Sequence, residues 1–359
     1  MVMKKYLWLI LLAVSIHIGA QNNIPNADEY ADPIVQMSGR AYTFGLASNK
    51  QSSTRPIVFC FTTDIHGDYE NMTRIVNFCD QYKDYIDDIL HGGDNTRGGS
   101  NDYTWFAEIP GAEKVLNCIG NHDTDIFNAE GKSIGKESTK TVYDKFFGPF
   151  IKNWNVQQPK DADKLGLSYY YKDYKEGNVR LITLDVMYYD ERQDKWLNET
   201  LADAIKKGLH VVMLEHYPIA SKPIKSNFTS YTFLEEDTVG NDLDPRAVVA
   251  VDKYIEKGGN FICWLAGHTH KNCISYMPEH HNQMLIMQEP ATYDAKQNAW
   301  GDTYRTKGTK SQDSFDIVAI DVYSKVLRIL RVGNEYDMRL RHKKTVTIKY
   351  DSHEILSEY

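Results

Sequence analysis

Five short apolar segments of this 359-residue chain each run directly into histidine, aspartate or asparagine. Their apolar and β-branched residues predict buried strands. The polar residues that follow these strands are Asp64 and His66, Asp94, Asn121 and His122, His216, and His268 and His270. In layered α/β proteins the strands hold their ends in position while the following loops vary, so functional sites gather at strand ends. We therefore expect these side chains to lie close together.

Each of these residues, taken singly, has an ordinary structural explanation. An aspartate at a strand end is usually a helix cap, and a lone histidine is usually a hydrogen-bonded core or surface residue. Five such segments in one chain favour a shared site instead. Carboxylate and imidazole ligands together suit divalent ions such as Mn, Fe or Zn better than Ca. His268 and His270 are two residues apart, so on an extended segment their side chains share one face.

The rest of the chain predicts a mixed α/β architecture. Apolar residues at helical spacing predict helices, and alternating apolar residues predict antiparallel strands and one hairpin. The helices cover about residues 70–85, 194–207 and 245–257, the hairpin covers 168–171 and 179–186, and the antiparallel strands cover 284–288, 314–322 and 325–332. Helices alternating with strands predict mixed sheets with outer helices. The stretches 124–165 and 218–245 are predicted to be loop insertions that overhang a site.

The first twenty residues are typical of an export signal. Lys4 and Lys5 give a basic start, an apolar run covers 7–16, and Gly19-Ala20 offers a small-residue cleavage site. The apolar run is too short to span a membrane comfortably, although an uncleaved anchor is the alternative. We expect cleavage, no stable membrane span afterwards, and a periplasmic or extracellular location.

The charge of the chain argues against a nucleic-acid partner. The formal net charge is −8, and it falls to −10 when Lys4 and Lys5 are removed with the signal, because that segment contains no acidic residue. Proteins that bind nucleic acid through their surface need clustered positive charge. An acidic exported protein is a poor candidate for that role.

The cysteines do not predict a disulfide framework, because there are five of them. Cys60, Cys118 and Cys263 each lie in an apolar run, where a small buried thiol packs well. We predict that these three are core residues. A bridge between Cys263 and Cys273 is the less favoured alternative.

The order of the polar motifs resembles that of the calcineurin-like metallophosphoesterases. The shared pattern is D-x-H at 64–66, G-D-N at 93–95, G-N-H-D at 120–123, a histidine at 216 after an apolar strand, and G-H-T-H at 267–270. The pattern is specific because all five blocks are present and in order, over about residues 56–333. The resemblance implies an α/β fold, a four-layer α-β-β-α sandwich with two mixed sheets and the site at the strand ends.

This resemblance divides the chain into four segments. They are the signal at 1–20, a polar lead-in segment at 21–55 with at most one edge strand, a metallophosphoesterase domain at 56–333 and a C-terminal tail at 334–359. The large exported nucleotidases of this architecture add a C-terminal substrate domain. The residues after Val332 are too few for such a domain.

The resemblance also implies two bound divalent ions and a role for each motif residue. Asp64, His66 and His270 would hold one ion, Asn121, His216 and His268 the other, and Asp94 would bridge both. The ions would lower the pKa of a bridging water, so that hydroxide attacks a phosphoryl group in line. His122 would protonate the leaving oxygen or stabilise its developing charge. The implied function is an exported phosphoesterase that hydrolyses small-molecule phosphate monoesters or diesters.

Two further residues are candidates for supporting roles. Asp123 would orient the His122 ring, although a loop-capping role suits its position equally well. Arg97 follows Asp94 by three residues and is a candidate for phosphate contact, but the phosphoprotein phosphatases keep an arginine one position further along. The purple acid phosphatases have a metal-binding tyrosine where this chain has Arg97, so that branch does not match.

Two other functions are compatible with the same fold. A non-catalytic binding or scaffold protein would keep the fold and lose ligands, and none of the seven expected ligands is missing. A metal-dependent nuclease would need a basic track across its surface, which the composition does not supply.

Overall fold

The computed structural model describes residues 23–39, 54–97, 102–130, 132–218, 244–270, 272–293, 305–334 and 345–358. The predicted export signal lies outside these residues, and so does most of the predicted insertion at 218–245. Within the described ranges, no helix has the length and apolar character needed to cross a membrane.

The described residues form strands in three sheets and helices that flank the two large ones. The strands are β1 (Ile57–Thr62), β2 (Asp88–His91), β3 (Val115–Asn117), β4 (Asp125–Phe127), β5 (Ser133–Lys136), β6 (Tyr170–Tyr174), β7 (Val179–Thr183), β8 (His210–Leu214), β9 (Asn260–Ala266), β10 (Cys273–Met277), β11 (Gln283–Met287), β12 (Ser314–Asp321), β13 (Val326–Gly333), β14 (Thr345–Lys349) and β15 (Ile355–Glu358). The α-helices are α1 (Ala31–Ser38), α2 (Tyr69–Gln81), α3 (Tyr103–Ala107), α4 (Thr139–Val142), α5 (Gly148–Ile151), α6 (Ala162–Leu165), α7 (Glu191–Lys207) and α8 (Pro245–Glu256). A π-helical turn covers Tyr143–Phe147, and 3₁₀ turns cover Ala27–Tyr30, Ala112–Lys114 and Lys310–Gln312.

Both large sheets are mixed. The first has the order β15-β14-β13-β12-β1-β2-β3, in which β1, β2 and β3 run parallel and the remaining pairs run antiparallel. The second has the order β10-β11-β9-β8-β7-β6, with β7, β8, β9 and β11 parallel and antiparallel strands at both edges. Strands β4 and β5 form a separate antiparallel hairpin.

The two sheets pack face to face between layers of helices. Phe59 of β1 meets Tyr174 of β6 edge to face, with ring centroids 5.1 Å apart, which joins the facing surfaces of the two sheets. On the outer side of the first sheet, Phe78 of α2 packs against Phe315 of β12 with ring centroids 5.2 Å apart. Helices α7 and α8 share a separate hydrophobic core with the outer face of the second sheet. This arrangement fits the predicted four-layer α-β-β-α sandwich.

The long helices begin and end where side chains satisfy their free backbone groups. Asp68 caps α2 by accepting from the Asn71 N–H, and Asp190 caps α7 by accepting from the Gln193 N–H. Helix α7 ends at Gly208, which adopts φ 66°, a left-handed conformation that glycine reaches without strain.

Three segments of the chain have secondary structure that differs from the prediction. The described part of the lead-in segment is helical, with the buried side chains of Ile34 and Met37 on α1, so it contributes no edge strand there. The stretch 124–165 is not an irregular insertion, because it contains the β4–β5 hairpin and short helices. Residues 345–358 form β14 and β15 and extend the first sheet, although they were set apart as a tail.

Two finer expectations can also be compared with the structure. Strand β11 was expected to be antiparallel, but it pairs in parallel with β9 and antiparallel with β10. Cys60, Cys118 and Cys263 are buried free thiols, as predicted, and the alternative bridge from Cys263 is not formed.

Candidate metal centre

The motif residues lie where the parallel strands of both sheets end. Strands β1, β2 and β3 run side by side, so the loops that follow them meet at one edge of the first sheet. These loops are joined by backbone hydrogen bonds, from the Asp64 N–H to the Gly93 carbonyl and from the His66 N–H to the Asp94 carbonyl, both at 3.0 Å. In the second sheet, the Gly267 N–H donates to the His216 carbonyl at 3.2 Å. The motif loops therefore lie side by side in the same order as the strands that precede them.

Five of the predicted ligands have a left-handed backbone. Their φ angles are 52° at Asp64, 44° at His66, 55° at Asp94, 67° at His268 and 58° at His270. Aspartate and histidine tolerate this region better than most residues, but it still stores backbone strain, of order 1–3 kcal/mol each. Strain concentrated in one cluster is typical of a functional site.

The glycines of the motifs allow these side chains to approach one another. Gly93 has φ 92°, and a Cβ at this position would lie 2.6 Å from Nδ1 of His216. A Cβ at Gly120 would collide with the carboxylate of Asp94. Any larger residue at these positions would push His216 or Asp94 out of the cluster.

One group of potential ligands contains Asp64, His66 and His270. Each offers one ligand atom, and these atoms lie within 4.8 Å of one another. The Oδ1 atom of Asp64 lies 3.4 Å from Nε2 of His270 and 3.7 Å from Nε2 of His66, without hydrogen-bond geometry. The other oxygen, Oδ2, accepts from the Thr63 hydroxyl at 2.6 Å and from the His268 N–H at 3.1 Å.

A second group contains Asp94, His216 and His268, again with ligand atoms within 4.8 Å of one another. The side-chain oxygen of Asn121 lies 3.0 Å from Nε2 of His216, which places Asn121 beside this group. Nδ1 of His216 lies 2.7 Å from the Gly92 carbonyl oxygen. That contact suits an Nδ1–H donor and leaves Nε2 as the ligand atom, the usual arrangement for a metal-binding histidine.

Asp94 connects the two groups. Its Oδ2 atom lies 3.3 Å from Nε2 of His66 and 3.3 Å from Nε2 of His216, which belong to different groups. Its Oδ1 atom accepts the backbone N–H of His122 at 2.8 Å, so the orientation of the carboxylate is held.

These residues fit divalent metal ions. Two ligands that each lie ~2.1 Å from one ion, at roughly 90–110° to each other, are about 3.0–3.4 Å apart. Most of the ligand-atom separations above fall in or near that range, and they are longer than charge-assisted hydrogen bonds of about 2.8 Å. Asp64 Oδ1 is also a buried oxygen without a hydrogen-bond partner, which a bound cation would satisfy.

The electrostatics of the cluster favour positive charge. Burial would raise the pKa of Asp94, but His216 and His66 outweigh burial and hold this pKa well below its usual value. Burial would lower the pKa of His216, but the charge of Asp94 and the hydrogen bond that Asp94 accepts from His216 raise this pKa to about 10. Burial, together with the charge of His216, lowers the pKa of His268 to about 4. The raised pKa of His216 shows that the two buried carboxylates favour positive charge beside them, whereas His268 favours its neutral form.

A model of the family described as calcineurin-like phosphoesterase matches residues 57–272. The chain belongs to this family. The five motifs that carry the sequence resemblance all lie within the matched residues. No curated protein sequence matches the chain at a significant level.

The solved structures that are similar to this chain include the following three. A dimetal phosphatase from Danio rerio has a TM-score of 0.49 and 12% identity, over 80% of this chain and 99% of that one. A 5'-nucleotidase from Candida albicans has a TM-score of 0.38 and 14% identity, over 74% and 47% of the two chains. A phosphopantetheinyl hydrolase from Mycobacterium tuberculosis has a TM-score of 0.37 and 11% identity, over 69% and 93%.

In this calcineurin-like phosphoesterase, His122 lies at the open side of the cluster. Its Nε2 atom lies 4.0 Å from Oδ2 of Asp94, and its ring centroid lies 5.1 Å from that of His66. Its Nδ1 atom lies 3.3 Å from Oδ2 of Asp125. Burial lowers the pKa of His122. Asp125 was not among the site residues predicted from the sequence, although its position three residues after His122 was the available signal.

Asp123 has the loop-capping role that was one of its two alternatives. Its carboxylate accepts the backbone N–H of Gly120 at 2.9 Å, and the backbone N–H and hydroxyl of Thr96 at 2.8 and 3.1 Å. These bonds tie the loop after β2 to the loop after β3. Burial and the charge of Asp94 raise the pKa of Asp123 to about 6. The carboxylate that faces the His122 ring is Asp125 instead.

Arg97 is exposed at the end of a described range. Its backbone N–H donates to the Asp102 carboxylate at 3.1 Å, and its Cβ lies beside Gly67. Contact between Arg97 and phosphate stays a prediction.

Proposed function

We propose that this protein is an exported two-metal phosphoesterase that hydrolyses small-molecule phosphate monoesters or diesters. The observation that carries the proposal is the position of Asp94, whose Oδ2 lies at the same 3.3 Å from a histidine of each ligand group. A single carboxylate between two groups of ligands is what a shared pair of ions requires. Membership of the phosphoesterase family supports the reaction class.

In this proposal each ion has its own set of ligands. Asp64, His66 and His270 would hold one ion, Asn121, His216 and His268 would hold the other, and Asp94 would be common to both. The mixture of oxygen and nitrogen ligands suits Mn, Fe or Zn. Bound there, the ions supply Lewis-acid activation of the phosphoryl group and of the attacking water. Two carboxylates do not neutralise two dications, so the site keeps positive charge for an anionic substrate despite the acidic surface.

His122 acts on the leaving group. Its Nε2 faces the cluster and its Nδ1 faces Asp125, so the ring is oriented to donate a proton from Nε2. As the water oxygen bonds to phosphorus and the ester P–O bond breaks, the leaving oxygen takes this proton. His122 regains a proton from solvent, and the proton lost by water returns to solvent.

Export is supported by the N-terminal sequence alone. The basic start, the apolar run at 7–16 and the Gly19-Ala20 step are those of a cleaved signal. Expression of the full chain with its own N-terminus, followed by mass determination of the protein outside the cytoplasm, tests this proposal. A mass that retains residues 1–20 would support the anchored alternative.

The decisive experiment is a metal-reconstituted activity panel on aryl phosphate monoesters and diesters. The wild type should hydrolyse at least one of these substrates and bind two ions per chain. Asp94→Asn should lose at least one ion and nearly all activity, because the amide is neutral and cannot bridge as a carboxylate does. Asp80→Asn is the control, since Asp80 forms an exposed ion pair with Lys114. Unchanged activity in Asp94→Asn would overturn the two-metal assignment.

A further inference from the structure

The turn that carries His122 is held by the β4–β5 hairpin. Within the turn, the backbone N–H and the hydroxyl of Thr124 both donate to the Asn121 carbonyl oxygen, at 3.2 and 2.9 Å. From β5, the Lys136 ammonium donates to the same oxygen at 3.1 Å. The same ammonium lies 2.8 Å from Oδ1 of Asp125. Lys136 therefore joins the residue before His122 to the carboxylate that faces the His122 ring.

The two oxygens of Asp125 have different partners. Oδ1 is paired with Lys136 and also accepts the Ser133 hydroxyl at 3.2 Å. Oδ2 lies 3.3 Å from Nδ1 of His122, which is within ion-pair distance but without hydrogen-bond geometry. Since Oδ1 is occupied from the hairpin, the carboxylate cannot rotate without losing these contacts. Oδ2 is thereby held toward the ring.

We propose that Lys136 is a positioning residue for His122. By holding both Asp125 and the Asn121 carbonyl, it keeps the Asp125 carboxylate facing Nδ1 of His122 and Nε2 toward the metal centre. The partner of one imidazole nitrogen sets the orientation and tautomer of the ring. This inference rests on the proposed role of His122 in protonating the leaving oxygen.

A purely structural role for Lys136 predicts a different outcome. The Lys136 side chain is 44% exposed, and exposed ion pairs contribute little to folding stability. If Lys136 only stabilised the hairpin, its loss would change thermal stability slightly and affect all substrates alike. A positioning role instead affects turnover most where the leaving oxygen needs a proton.

Lys136→Met tests the proposal on two substrates, p-nitrophenyl phosphate and an alkyl phosphate. We expect kcat for the alkyl ester to fall by about 10- to 100-fold, the range for outer-shell partners of site residues, with KM little changed. The aryl ester should be affected less, because its leaving oxygen needs less protonation. Lys136→Arg, which keeps the charge, should retain more activity than Lys136→Met.

The matched control is Lys140→Met. Lys140 forms an ion pair with Asp144 on the surface, and its side chain is 47% exposed. Like Lys136, Lys140 pairs with an aspartate and is nearly half exposed. Its aspartate, however, lies outside the turn that carries His122. Kinetics in Lys140→Met should match those of the wild type. Equal losses on both substrates in Lys136→Met, or no loss beyond that in Lys140→Met, would overturn the proposal.

A second measurement does not depend on turnover. Ring ¹⁵N chemical shifts of His122 in the zinc-loaded protein should show Nδ1–H in the wild type and a mixture of tautomers in Lys136→Met. An unchanged tautomer in the variant would contradict the positioning role. If the wild type hydrolysed neither these monoesters nor the corresponding diesters, the proposed function would fail, while the tautomer would still decide whether Lys136 orients the ring.

Discussion

His122 differs from the histidines deep in the cluster by its access to solvent. Its side chain is 36% exposed, whereas that of His216 is fully buried. Burial strengthens the interaction between a ligand and its ion, because water is kept away from the ion. A group that must reach the leaving oxygen needs an open face. The exposure of His122 therefore leaves an open face for proton transfer, although the proposed ligand His270 is also 30% exposed.

His122→Ala should separate proton transfer from metal binding. We expect kcat for an alkyl phosphate to fall by about 100- to 10,000-fold, the usual contribution of a positioned general acid, with a smaller fall for an aryl phosphate. Metal content should stay at that of the wild type, since the seven proposed ligands remain. Steady-state kinetics and elemental analysis measure the two effects. Full activity on the alkyl ester would exclude His122 as the proton donor.

At the scale of elements, Asp185 links the end of β7 to the start of α7. Its backbone N–H and C=O are both bound by the Gln193 amide, at 2.7 and 2.8 Å. Its side chain accepts the backbone N–H groups of Met187 and Tyr188, at 3.1 and 3.2 Å, and the Ser168 hydroxyl. Burial outweighs these bonds and raises the pKa of Asp185 to about 6.

The raised pKa predicts a loss of stability as the pH increases. The unfolded state ionises near pH ~3.9, whereas folded Asp185 stays protonated to about pH 6, so ionisation favours unfolding between these values. The contribution of Asp185 to the free energy of unfolding should decrease by up to roughly 3 kcal/mol across this window, and stay level above it. Chemical denaturation at intervals of one pH unit measures the slope. Asp185→Asn should remove this component, and an identical slope in the variant would contradict it.

Element length decided which parts of the fold were predictable. The helices predicted over 194–207 and 245–257 are observed as α7 (Glu191–Lys207) and α8 (Pro245–Glu256). Long helices show their apolar period several times. Strands β4 and β5 have three and four residues, which is too short for any period to be visible. The hairpin that carries Lys136 was therefore read as an irregular loop.

At the scale of the whole molecule, the centre takes residues from both large sheets. Asp64, Asp94 and Asn121 follow strands of the first sheet, and His216 and His268 follow strands of the second. Ions held between these residues bind the folded sandwich and not the separated sheets. Metal binding should therefore stabilise the entire fold.

Removal of metal should lower the thermal stability of this protein. At a free ion concentration of 100 Kd, a single site contributes about 2.7 kcal/mol of stability, so chelation should reduce Tm measurably. Differential scanning calorimetry before and after chelation, and again after addition of Mn or Zn, measures the effect. Asp94→Asn should show a smaller response to both treatments than the wild type. A wild-type Tm that is insensitive to both chelation and added metal would argue against bound ions.

The amino-acid sequence alone predicted the family, the mixed α/β fold and the identities of the residues at the strand ends. These features could be predicted because each motif is local: an apolar strand fixes the position of the few residues that follow it. The folded structure was needed to show that Asp94 lies between two ligand groups, that Asp123 caps loops, and that Asp125 and Lys136 face His122 and its turn. These relations depend on how a short hairpin packs against a loop, and on two sheets meeting at one edge. Neither arrangement leaves a periodic signal in the chain.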